Sequence, residues 1–281
     1  MGRAPWDLLA HANPAANAHN VTRQFLHLYK YRSLSDEKQH AFVKDILLNN
    51  RLYWPSPTQF NDPFDCFPVP RLPAAREERE RYARDLVQRV MPGASRVDRK
   101  MQLREILRDN LARIEASAPT IVRERIAQVG VCSFGEDCHN VLMWSHYADA
   151  HRGVCLRFSP SRFDMPLWAA FPVEYSEERP ELRLASRDMK EWSKSILLTK
   201  AKYWEYEREW RVIDVEQVGH HPFRPGVLDE IILGAAIERD SRSMVLKWVR
   251  ERASPTRIMQ ARFDEERFLL HVDPAPENEA S

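Results

Sequence analysis

The stretch 200–215, KAKYWEYEREWRVIDV, gathers the side chains best suited to chemistry: Glu205, Glu207 and Glu209 alternate with Trp204, Tyr206 and Trp210, flanked by Lys200, Lys202, Arg208 and Arg211. Read at a period of two, as a strand, it puts the three carboxylates and Arg211 on one face and Tyr206, Trp210 and Val212 on the other. Like charges this close raise at least one carboxyl pKa unless cations or a ligand compensate them. A carboxyl shifted in this way can serve as a general acid or base. The same pattern also describes a solvated edge strand held by ion pairs, which perturb titration just as an active site does.

Two further motifs carry polar chemistry. In QFNDPFDCF, Asn61 and Asp62 can hydrogen-bond neighbouring backbone and Pro63 fixes the chain direction, giving a capped turn with Phe60 and Phe64 packed inward. In HNVLMWSHYADAHRGVCLRFS, His139, His146, His151 and Asp149 invite a metal reading. Their spacing contains no HExxH pattern, and no metal is expected. Met143, Trp144 and Tyr147 suit the buried side of a short amphipathic turn.

The elements that must position these groups follow from periodicity. FLHLYKYRSL alternates as a strand, Ser35 caps a helix whose buried stripe is Phe42, Val43, Ile46 and Leu47, and Leu52–Trp54 forms a short strand. Residues 73–128 turn into long charged helical pieces with a stripe of Leu103, Ile106, Leu107, Leu111 and Ile114, an inserted hairpin that serves as a spacer, a lid or a partner-contacting arm. Strands are expected at 129–134, 153–159 and 171–175, with a helix over 187–200 capped by Ser186. LDEIILGAAI has the continuous apolar run of a central strand. A helix from Asp240 and strands at 257–263 and 267–272 close the chain. Strands outnumber core helices without regular alternation, so the expected fold is α+β: one mixed or antiparallel β core with flanking helices over 25–272, a mobile arm at 1–24 and a disordered tail at 273–281.

Composition narrows the classes of function. The 281-residue chain has a formal charge of +1, which gives no overall footprint for nucleic acid. Its 8 glycines against 19 prolines include no GxGxxG or GxxxxGK[ST] phosphate loop. The 4 cysteines form no CxxC pair and read as reduced and buried. No apolar run approaches the ~20 residues of a membrane span, and residues 1–24 lack a signal-peptide core, so a cytoplasmic location is expected.

Several motifs in order, LYKYRS, FNDPFD, VCSF, MWSHYADAHRGVCLRF, K-x-x-x-W-x-YE-x-EWR and IILG, together resemble the bacterial family labelled domain of unknown function 2971. The resemblance runs from about Leu28 to Gly234 and implies no activity. The order of an Arg on the first strand, a Ser-bearing middle strand and a late Glu-x-Glu is also similar to ADP-ribosyltransferases of the arginine–serine–glutamate type, although the middle Ser-Thr-Ser triplet is absent and only Ser133 or Ser145 could stand for it. That likeness implies NAD as substrate. Glu209 would stabilise the oxocarbenium-like ribose, Glu207 would orient or deprotonate the acceptor, and Arg32 would grip the phosphates. Tyr29, Tyr31 and Trp144 would wall the rings, and His146 and Tyr147 would contact a ribose. A defence or toxin role follows only from what such transferases do in bacteria.

Two other classes fit the residues. A metal-dependent nuclease would gather Asp62, Asp65, Glu205, Glu207 and Lys200 around a divalent cation, although no D…ExK strand pattern is present and the charge is neutral. A non-catalytic ligand-sensing module would use FNDPFD and MWSHYAD as a rigid polar and aromatic pocket.

Overall fold

The computed structural model describes residues 27–185 and 195–275. The expected arm at 1–24, the tail from 276 and most of the helix expected over 187–200 lie outside the described residues. The fold is α+β, and the chain divides into two compact units: one formed by 57–128 and 174–201, the other by 27–56, 129–173 and 202–275.

The larger unit is organised by a five-stranded mixed sheet. Its order is β1 (Leu28–Arg32), β5 (Val154–Phe158), β12 (Leu228–Leu233), β13 (Arg257–Phe263) and β14 (Leu270–Pro274). β12 lies in the middle, as its apolar run requires, antiparallel to β5 and parallel to β13. Val154, Leu156, Phe158, Leu228, Ile231 and Leu233 are fully buried and join one core cluster. That core is covered by helices α1 (Glu37–Asn49) and α6 (Arg239–Glu251), which contribute Val43, Ile46, Leu47, Val245, Leu246 and Trp248. Asp36, rather than Ser35, caps α1, because its Oδ1 accepts from Gln39 N at 2.9 Å, and Asn50 closes the helix in a left-handed conformation at φ 50°.

A second, antiparallel sheet pairs β4 (Gly130–Phe134) with β10 (Trp210–Asp214) and β10 with β6 (Phe171–Pro172). A two-residue bridge between Tyr29 and Gly135 ties β1 to the end of β4. β2 (Arg51–Trp54) pairs with β11 (Gly219–Pro222).

In the smaller unit, α2 (Arg76–Val90), α3 (Arg96–Glu105), a π turn at Ile106–Asn110 and α4 (Leu111–Ile126) form the expected hairpin. Ala83, Val87 and Ile106 make its core, with Leu103, Leu107, Leu111 and Ile114 packed against them. Two parallel strand pairs complete it: β3 (Val69–Arg71) with β8 (Glu181–Arg183), and β7 (Glu174–Ser176) with β9 (Thr199–Ala201). β9 replaces the last residues of the helix expected to run to 200.

One departure bears on the chemistry. Residues Lys202–Glu207 form a 3₁₀ helix, and the strand begins only at Trp210. Arg208, at φ 43°, makes the left-handed kink between them. The period-two reading of Glu205 through Glu209 is therefore corrected: the three carboxylates do not share a strand face.

Candidate functional site

Asn140 organises the site locally. Its Oδ1 accepts from Leu142 N at 3.0 Å and Met143 N at 3.2 Å, which starts helix α5 (Val141–Tyr147). Its amide also donates to Tyr206 O at 2.6 Å, fastening the 3₁₀ helix to the start of α5. Two turns further along, Tyr147 Oη donates to Glu207 Oε1 at 2.6 Å, a second tether to the same segment. His146 flanks both, with ring centroids 6.4 Å from Tyr147 and 6.1 Å from Tyr206.

Behind α5 the aromatic residues lock the backbone. Trp144 is fully buried, donates Nε1 to Cys138 O at 2.7 Å and meets Tyr31 edge-on at 5.3 Å. Tyr31, also buried, donates Oη to Asp137 O at 2.7 Å. Both residues brace the 135–140 loop as core. Tyr29 is half-buried, and desolvation pushes its phenol up to about 12.

The chain leaves α5 through three successive left-handed residues, Asp149, Ala150 and His151, at φ 50°, 48° and 70°. His151 is buried, its Nε2 is 3.2 Å from Ser145 Oγ, and among the described residues its Nδ1 has no hydrogen-bond partner. Burial lowers its pKa. Gly153 and Gly234 close this corner: a Cβ on Gly153 would lie 2.1 Å from Arg32 O, and one on Gly234 would lie 2.1 Å from His151 O. These contacts are with backbone, so no side chain can replace either hydrogen without moving strands.

Of the buried pair Glu207 and Glu209, Glu209 is held by a fork. Arg211 Nε donates to its Oε1 at 2.7 Å and Arg211 Nη2 to its Oε2 at 2.9 Å, with the guanidinium fully buried. Arg211 sits opposite Ser133 in the β4–β10 register, on the face away from Cys132, Phe134 and Val212, which point into the core.

On β1, Lys30 and Arg32 share a face. Lys30 Nζ donates to Ser133 O at 2.7 Å and lies over the Phe134 ring at 5.2 Å. Burial lowers its pKa, a nearby Arg32 adds to the shift, and Cys132 and Glu209 oppose it. Arg32 is different. Its Nε is buried without a hydrogen bond, its guanidinium lies 5.7 Å from the Phe42 ring centroid, and among the described residues it makes no ion pair. Desolvation lowers its pKa, and no carboxylate offsets the burial. The strand that carries Arg32 and the segment that carries Glu207 meet around Gly135, where a Cβ would lie 3.5 Å from Glu207 O and 3.7 Å from the Tyr31 ring.

The remaining sequence candidates fall elsewhere. Glu205 lies on the 3₁₀ helix, and Asn61, Asp62, Asp65 and Lys200 belong to the smaller unit. There Asp62 Oδ1 accepts from Phe64 N at 2.8 Å, as a capped turn requires, and Lys200 Nζ is 3.9 Å from Asp65 Oδ2. Phe64 is exposed, not packed inward, and lies under the Arg179 guanidinium at 5.4 Å. Sequence reasoning missed Lys30 and Asn140. The polar position inside an otherwise aromatic β1 was a usable signal for Lys30, whereas nothing local reveals the contact between Asn140 and Tyr206, 66 residues apart.

The segment from Met143 through Val212 spans α5, the left-handed corner, β5, the 3₁₀ helix and the Glu209–Arg211 fork. Residues 143–212 match the family model described as protein of unknown function (DUF2971). The DUF2971 segment thus holds both halves of the Tyr147–Glu207 contact and the glycine that closes on Arg32 O. No curated protein and no solved structure matches the chain. Among the described residues no helix is long and apolar enough to cross a membrane.

Proposed function

We propose that the unit carrying β1, α5 and β10 transfers ADP-ribose from NAD. Arg32 carries the reading: a guanidinium with a desolvated Nε and no counter-charge among the described residues is costly to keep, and an arriving phosphate would supply the missing partner. Lys30, one turn of the pleat away, adds positive potential for the same pyrophosphate.

In the reaction, the bond between ribose C1′ and nicotinamide breaks, nicotinamide leaves as the neutral base, and the acceptor nucleophile bonds to C1′. The acceptor's proton passes to Glu207, with the Tyr147 phenol bridging between the half-buried surface and the buried carboxylate. Glu209 has both oxygens in the Arg211 fork, so its part is to fix the 207–211 backbone, and Glu207 becomes the carboxylate nearest the sugar chemistry. Glu207 thus keeps the acceptor role that the Glu-x-Glu resemblance implies and takes over the sugar-facing one from Glu209.

The test is nicotinamide release by the purified protein, read beside its thermal stability with NAD. NAD at about 100 times its dissociation constant should add ~2.7 kcal/mol of stability. Glu207→Gln should keep that stabilisation and lose turnover. Turnover at the wild-type rate in Glu207→Gln would remove this residue from the mechanism, and absence of any NAD response would remove the reading.

A further inference from the structure

The loop between β4 and α5 carries a group of which the sequence motifs singled out only His139 and the transferase reading uses none. Asp137, Cys138 and His139 bring one donor atom each to within 4.8 Å of the others. His139 Nδ1 lies 3.0 Å from Asp137 Oδ1 and 3.5 Å from Cys138 Sγ. For a tetrahedral zinc ion with N and O ligands at ~2.05 Å and S at ~2.3 Å, the ligand-to-ligand edges are ~3.3 Å for N···O and ~3.6 Å for S···N. The observed edges differ from these by a few tenths of an ångström. We infer that Asp137 Oδ1, Cys138 Sγ and His139 Nδ1 form a three-donor site for a zinc-like divalent cation, with the fourth position open to water.

The backbone beneath the donors is already fixed. The Asp137 carbonyl is held by Tyr31 Oη and the Cys138 carbonyl by Trp144 Nε1, both from buried aromatic residues, so ion binding orders little that is not ordered. The charges also fit. Thiolate, carboxylate and neutral imidazole together balance the charge of one dication, and binding releases the thiol proton to water. Familiar zinc spacings such as CxxC and HExxH miss this site because its donors are consecutive, brought to one point by a turn in which Asp137 Oδ1 accepts from His139 N at 2.7 Å. The ion would sit next to Asn140, and so would brace the start of α5.

The experiment is titration of the full-length, metal-stripped protein with cobalt(II) without NAD, followed by competition with zinc. The expected result is one equivalent bound, with visible d–d bands of tetrahedral type and a near-ultraviolet thiolate charge-transfer band. Cys138→Ser should lose the charge-transfer band while keeping wild-type circular dichroism. His139→Gln changes a half-exposed ring and tests the site without disturbing the core; it should weaken zinc by more than the ~10–100-fold that losing an outer-shell partner costs. A wild-type protein with no charge-transfer band, a band that survives Cys138→Ser, or wild-type zinc affinity in His139→Gln would each overturn the site. None of these readouts depends on transferase activity, so the two proposals fail separately.

Discussion

Tyr147 donates its phenolic proton to Glu207 across 2.6 Å, joining the last turn of α5 to the 3₁₀ helix that precedes β10. Removing the phenol leaves a buried carboxylate short of a donor. Tyr147→Phe should therefore cost ~1–3 kcal/mol of stability in urea unfolding. On the transferase reading it should also lower nicotinamide release by ~10²–10⁴-fold. Lost stability with unchanged turnover would make the pair structural.

Arg32 should behave in the opposite sense. A methionine there removes a desolvated cation that has no ion pair among the described residues and keeps the apolar stem against Phe42. Arg32→Met is expected to raise the stability of the ligand-free protein by on the order of 1 kcal/mol. The same variant should lose the NAD-dependent increase in melting temperature. A destabilised variant that still responds to NAD would show that the guanidinium has a packing role and no phosphate to meet.

Gly153→Ala tests the corner that joins β1 to the DUF2971 segment. Its Cβ would sit 2.1 Å from Arg32 O and 3.0 Å from Ala148 O, both backbone atoms. The expected cost is about 3 kcal/mol or more, seen as a lower denaturation midpoint, because two strands must part to admit one methyl group. A midpoint within error of wild type would mean that this corner is free to open.

His151 gives a pH dependence of definite sign. Burial holds its folded pKa below the ordinary value of 6.5, so the unfolded chain binds the proton first. Its contribution is fully present above that value and is lost as the pH falls toward the folded pKa. Thermal unfolding of wild type and His151→Gln across this range should show a steeper acid loss for wild type. Parallel curves would exclude His151 as the titrating group.

The core was written locally, for a physical reason. The stretches Ile231–Leu233 and Val154–Leu156 are apolar on both faces, a pattern suited to strands buried on both sides, and they became paired neighbours in the sheet. The helical hairpin was legible from its i, i+3, i+4 stripe, and its leucines do pack on Ala83, Val87 and Ile106. Residues 202–209 misled because acidic and aromatic residues alternate there as in a strand, while hydrogen bonds from Asn140 and Tyr147 hold the chain in a 3₁₀ turn.

The motifs themselves, from LYKYRS to IILG, were also on the surface of the sequence, since residue identity alone carries them. Their partners were not. Glu209 reads as one acid among 41 until Arg211, two residues on, is found folded back on it in the interior. Arg32 reads as an ordinary strand-end cation until packing shows its Nε sealed without a hydrogen-bond partner among the described residues. Charge, spacing and periodicity are properties of the chain. Desolvation, and the choice of which donor meets which acceptor, arise only when strands remote in sequence close over one another.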